Sequence, residues 1–160
     1  MDSHSQQTLL ALIRKQRTAA LGTLRNGAPE VSMVSVAASK DCTRFYLHIS
    51  RLAHHSQNIL RDPRLSLMLA EADDGTRNPL SLARVSIQGE ALRFEEGSPE
   101  YEAGKSAYLD KFPDASMNFS LGDFSLYFIE PRTARFVAGF GKIFNLILHN
   151  FKEVGSVSQD

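Results

Sequence analysis

Between Ser50 and Leu69 the chain reads SRLAHHSQNILRDPRLSLML, a polar, His- and Arg-rich stretch that runs through an Asp-Pro turn into an apolar strand. A phosphate dianion is bound by several donors at once, and short hydroxyl, amide and cationic side chains at the mouth of a sheet supply them. Ser50, Arg51, His55 and Asn58 fall within nine positions, and Arg84, five residues before Gly89, is placed to approach from another strand or another subunit. The same residues also read as the polar face of a surface helix and an exposed strand end. Composition alone leaves both readings standing.

Other chemistries find little support. Five histidines invite a metal reading, but His54 and His55 are adjacent and diverge by about 100° on a helix. No HExxH, CxxC or facial His-His-carboxylate spacing occurs, so no metal site is expected. No GxSxG elbow is present, and Asp73-Asp74 and Glu95-Glu96 sit in turn-like segments as solvated surface. Gly139-Phe140-Gly141 lacks the GxGxxG spacing of a dinucleotide site and reads as a tight turn with an aromatic plug. The single cysteine, Cys42, has no histidine near it in sequence and reads as inert.

A chain of 160 residues with 42% hydrophobic content is enough for one globular domain over residues 1–160, with its core over about 8–148 and a loose tail at 155–160. A net charge of zero speaks against a general nucleic-acid binder. One cysteine and no secretory signal favour a reducing, cytoplasmic location. No apolar run approaches the roughly 18–20 residues of a membrane span.

The elements that must position the polar corner follow from periodicity. Thr8–Gln16 predicts a helix with an apolar stripe at Leu9, Leu10, Leu12 and Ile13 and with Ser5 as N-cap. Strands are predicted at 18–24, 30–38 and 44–49, the first two joined by an Asn26-Gly27 hairpin turn. A helix follows over 50–61, closed by Asp62-Pro63, and then a strand at 65–70 dense enough to be buried on both faces. A long strand over 81–94 carries a bulge at Gly89, a helix spans 99–111, and Pro131-Arg132 separates strands at 123–130 and 133–139. Beyond Lys142 the pattern is ambiguous. The sum is α+β, mainly β: six or seven antiparallel strands forming a barrel decorated with helices.

In this order the segments RTAALGTL, APEVSMVSV, FYLHISRLAHHSQNILRDPRLSLML, NPLSLARVSIQGEA, YLDKFPDA, DFSLYFIEP and FVAGFGK resemble the pyridoxamine 5'-phosphate oxidase-like FMN-binding split barrels, and most closely the branch associated with haem utilisation. The resemblance covers about Arg17 to Lys142. It implies a homodimer holding FMN in clefts between subunits. Ser32, Met33, Val34 and Ser35 would lie beside the flavin, Ser50, Arg51, His55 and Asn58 at its phosphate, and Arg84 near it. A phosphate beside His55 would raise that residue's pKa and favour the imidazolium. The C-terminal substrate-reading extension of the true oxidases is not found. The resemblance thus implies an FMN-dependent oxidoreductase of unknown substrate. The haem-associated branch adds the alternative of haem binding and cleavage, with His149 or His55 as candidate iron ligands, and a non-catalytic flavin module is the third reading.

Overall fold

Asn26 and Gly27, at φ 51° and 80°, form the two-residue turn that closes the first hairpin of the computed structural model, which describes residues 1–155. Positive φ at both positions matches the right-handed twist of the flanking strands. The turn locks β1 (Thr18–Arg25) onto β2 (Ala28–Ser35) in the register Arg25↔Ala28, Leu24↔Pro29, Thr23↔Glu30. Alternation then sends Ala19, Leu21 and Thr23 inward.

The chain continues through β3 (Ala37–Ala38), β4 (Phe45–Ser50), α2 (His54–Arg61), β5 (Arg64–Ala70) and β6 (Arg84–Leu92), preceded by α1 (Ser3–Lys15). α3 (Pro99–Lys111), α4 (Ser116–Phe119), β7 (Phe124–Gly139), β8 (Lys142–Ile147) and α5 (Leu148–Gly155) complete it. The antiparallel sheet runs β2-β1-β5-β6-β7-β4-β3, with β8 paired to β7. Its two edge strands, β2 and β3, are consecutive in the chain and parted only at Val36. The sheet therefore curls until its edges meet, giving the expected split barrel. Leu21, Leu47, Leu67, Val85, Ile87, Ile129 and Phe136 fill the interior, and Leu9 and Ile13 of α1 pack into the same core.

Several local expectations are corrected. Asp2, not Ser5, caps α1: its carboxylate accepts from Ser5 N and Ser5 Oγ at 2.9 Å, and the helix starts five residues earlier than the apolar stripe alone implied. The doubly covered strand is β4, not β5. On β4, Phe45, Leu47 and Ile49 face the barrel while Tyr46 and His48 lie under α3, whereas β5 alternates and leaves Met68 43% exposed. Pro131 does not break the sheet. It sits inside the 16-residue β7 opposite Gly89, where the register shifts between Gln88 and Gly89, so the missing proline N–H falls at a bulge. Gly89 is needed there, because a Cβ would stand 2.5 Å from the Glu130 carbonyl oxygen.

Phe140 is 80% exposed at the β7–β8 turn and plugs nothing; the flanking glycines serve backbone conformation alone. The ambiguous segment past Lys142 is β8 and α5, and the core runs beyond residue 148, with Phe151 and Val154 fully buried. Of the tail expected to be loose, Gly155 ends α5 and residues 156–160 lie outside the described residues. Burial pushes the Cys42 thiol up to about 11, which agrees with an inert cysteine.

Candidate functional site

The hairpin register and α2 together build the polar corner. Thr23 and Glu30 are cross-strand partners, and α2 lies against β1 and β2 with His54 and Asn58 one turn apart. Asn58 is 3% exposed, and its amide donates to Thr23 Oγ1 at 3.0 Å and to Glu30 Oε2 at 2.8 Å. Glu30 Oε1 accepts from Arg25 Nη1 at 3.3 Å, and the same guanidinium nitrogen lies 3.4 Å from His54 Nδ1. The Asn58 amide, then the Arg25 guanidinium, holds the Glu30 carboxyl below the usual carboxylate range against some desolvation. The Arg25–Glu30 pair is half exposed and adds little stability of its own.

Beside this network Ser32 Oγ stands 3.1 Å from His55 Nδ1. Burial, with a smaller contribution from His54, lowers the His55 pKa, so its imidazole is neutral near pH 7 in the ligand-free chain. Thr23, Glu30, Val31, Ser32, His54 and His55 line a cleft of about 360 Å³. Val31 also lines the neighbouring clefts of about 400 and 550 Å³ on the outer sheet face. Ala53 provides no side-chain cap to α2, and among the described residues the N–H groups of His54 and His55 have no acceptor.

The residues expected from sequence separate into three groups. Ser32 and His55 meet at the cleft. Met33 and Ser35 are exposed on the same strand, while the Val34 side chain is buried in the core, so only its backbone can face a ligand. Ser50 and Arg51 brace the corner from behind. Ser50 Oγ accepts from Leu52 N at 3.2 Å, its carbonyl accepts from Ser56 Oγ at 2.6 Å, and the Arg51 guanidinium donates to the Gly122 carbonyl. Asn58 has both amide N–H bonds committed inside the protein and positions the cleft rather than presenting a donor to it. Arg84 lies at the far end of β6, paired with Ala70 and Val137, and donates to the carbonyls of Leu80 and Leu82. Within one protomer it is not part of the corner.

Sequence reading missed Thr23, Arg25, Glu30 and His54. The signal was present: a two-residue Asn26-Gly27 turn fixes Arg25 opposite Ala28 and Thr23 opposite Glu30. Of the remaining histidines, His48 is buried and stacked on Phe119 with ring centroids 3.6 Å apart, and His149 Nε2 is 3.0 Å from Glu153 on the exposed side of α5. Among the described residues no group of three or more His, Cys, Asp or Glu is arranged to hold a metal ion, and no helix is long and apolar enough to cross a membrane.

The strand order, the bulge and the polar corner over β1, β2 and α2 define a split-barrel domain. The chain belongs to the pyridoxamine 5'-phosphate oxidase family, whose model matches residues 5–138. It is 36% identical over 118 residues to the heme oxygenase HOZ, a chloroplastic protein of Arabidopsis thaliana, covering 74% of this chain and 34% of the relative. It is 24% identical over 135 residues to heme oxygenase HutZ of Vibrio cholerae, covering 83% and 76%. A heme binding protein from Mycobacterium smegmatis superposes with a TM-score of 0.83 at 25% identity, over 96% of this chain and 61% of that one. The chain spans about a third of the length of the chloroplast relative. These similarities agree with the haem-associated branch that the motif order resembles.

Proposed function

We propose that this chain is a haem-binding protein of the split-barrel type, acting in haem degradation like the two relatives named heme oxygenases, and that it folds as one split-barrel domain. The observation that carries the reading is the 36% identity to a heme oxygenase over 74% of the chain. The corner supports it chemically. Iron takes a neutral imidazole, and burial keeps His55 in that form. In the tautomer that donates Nδ1–H to Ser32 Oγ, Nε2 presents its lone pair, the orientation that outer hydrogen bonds give metal-binding histidines. Val31, 75% exposed, lines the same cleft and offers apolar surface to a porphyrin, continued by Met33 two residues further along β2, and Arg25, paired with Glu30, is a cation at its edge.

Titration with haem followed by the Soret band is the test. His55→Ala is expected to weaken binding by about tenfold or more and to shift the band, while His149→Ala leaves both unchanged. The opposite pattern would move the ligand to α5. No Soret change in the wild-type chain would overturn the reading.

The outer sheet face also supports a homodimer. Val31, Met33, Met68, Ile143 and Ile147 are all 43% exposed or more, and a second copy would cover them. Met33→Glu is expected to convert dimer to monomer in light scattering after size exclusion. A wild-type chain already monomeric at micromolar concentration would remove the dimer.

The second reading, an FMN-dependent oxidoreductase, is favoured by the uncapped start of α2 beside Arg25 and His54, a place where backbone N–H groups and cations suit a phosphate. FMN retention through gel filtration would support it. The buried thiol of Cys42 suits a reducing compartment such as the cytoplasm.

A further inference from the structure

A second concavity lies on another part of the fold. A groove of about 980 Å³ opens between α1, the β3–β4 turn, α3 and α5 and shares no lining residue with the polar corner. Its apolar lining comes from Ile13, Ala38, Ala103 and Ala107, with the Tyr46 ring beside them. Around it stand four cations, Arg14, Lys40, Lys111 and Lys152, against two carboxylates, Asp41 and Asp110.

Asp41 is already occupied. Its Oδ1 accepts from Ser39 Oγ at 2.6 Å, from Thr43 Oγ1 at 2.8 Å and from Thr43 N at 3.2 Å. Among the described residues Arg14, Lys40 and Lys152 form no ion pair. Lys111 is held in place by the last turn of α1, donating to the carbonyls of Gln16 at 2.5 Å and Ile13 at 3.5 Å. Burial, aided by Arg17, lowers its amine to about 8, so an anion beside it would be rewarded by full protonation. A chain of zero net charge has thus gathered four cations about one apolar hollow. With Asp41 and Asp110 on the same lining, the groove keeps an excess of two positive charges, which favours an anionic ligand.

We propose that this groove binds an amphipathic organic anion, whose apolar body lies along Ile13, Ala103 and Ala107 and whose carboxylate or sulfonate groups meet the surrounding cations. Inorganic phosphate would gain nothing from the apolar lining, and exposed cations alone hold it weakly. A long acidic peptide would leave that lining bare. A body with a few anionic ends uses both features, as small-molecule sites of this size do.

The test uses the full chain and two probes, 8-anilino-1-naphthalenesulfonate fluorescence and displacement of that dye by dodecanedioate. In the wild type the dicarboxylate is expected to displace the dye, and binding should weaken at high salt. Lys40→Gln combined with Lys152→Gln changes only exposed side chains and should weaken the dicarboxylate by about tenfold. Lys111→Met should weaken it further, whereas His55→Ala should leave it unchanged. Equal affinity in the double variant would overturn the proposal, as would displacement of the dye by polyglutamate or inorganic phosphate at least as well as by dodecanedioate.

Discussion

Asn58→Leu is expected to destabilise the fold by about 1–3 kcal/mol, the cost of leaving buried polar partners without their hydrogen bonds. Leucine keeps the branched shape of the side chain but carries neither amide donor. It strips Thr23 Oγ1 and Glu30 Oε2 of the donors they now share, at a position 3% exposed. Thr23 is itself 4% exposed and would be the group most penalised, while Glu30 can turn partly to water. Because Asn58 ties α2 to the first hairpin, the loss should reach function as well. Glu30 released from Asn58 no longer holds Arg25 beside His54, and ligand affinity at the cleft should fall with stability. Urea unfolding of Asn58→Leu, Thr23→Val and the double variant checks this. The account expects the double variant to recover part of the loss, since removing both partners leaves no orphan between them. A change below about 0.5 kcal/mol in Asn58→Leu, the level of an ordinary surface substitution, would contradict it.

The second large effect is on pH dependence. His48 lies stacked on Phe119 with an interplanar angle of 3°, with Phe124 at 5.2 Å and Tyr108 at 5.8 Å between ring centroids. Burial, with Lys105 adding repulsion, pushes its pKa from 6.5 down to about 4. The unfolded chain binds a proton here before the folded one does. The stabilisation from a neutral His48 is therefore complete above about pH 6.5 and is lost as pH falls toward 4. Allowing for residual solvent screening, the loss is about 2 kcal/mol. Denaturant unfolding at about pH 7.5 and about pH 5 should show the wild type losing much of this difference and His48→Phe losing clearly less. Equal losses in the two proteins would show that other groups carry the acid sensitivity.

Much of the barrel was legible because its strongest signals are local. Asn26-Gly27 fixed the first hairpin, Pro99–Lys111 emerged with its bounds unchanged, and Gly89 marked the bulge where it occurs. What was misjudged depends on which layer covers which strand. The residues of β4 and β5 are similarly apolar, and only the placement of α3 over Tyr46 and His48 buries one and bares the other. Pro131 looked like a break because its partner across the bulge is 42 positions away in sequence. Of the polar corner, Ser32 and His55 do come together, whereas Asn58 spends its amide N–H groups on Thr23 and Glu30. Asn58 points inward because the i, i+4 spacing from His54 says nothing about which side of α2 the hairpin occupies. Glu30 was passed over because a carboxylate is not sought where an anion is expected, and Arg25 because it lies on the hairpin, outside the 50–58 segment. The charge of the corner is set by the hairpin as much as by the helix.

The central claim is that the corner and the sheet face beside it receive haem. The most direct measurement is a competition: the purified full chain is equilibrated with haem and FMN together in excess, desalted, and its absorption spectrum recorded. The account predicts a retained Soret band that His55→Ala diminishes, with flavin absorption passing through the column. Retained flavin bands and no Soret band would contradict it and assign the corner to the phosphate of FMN.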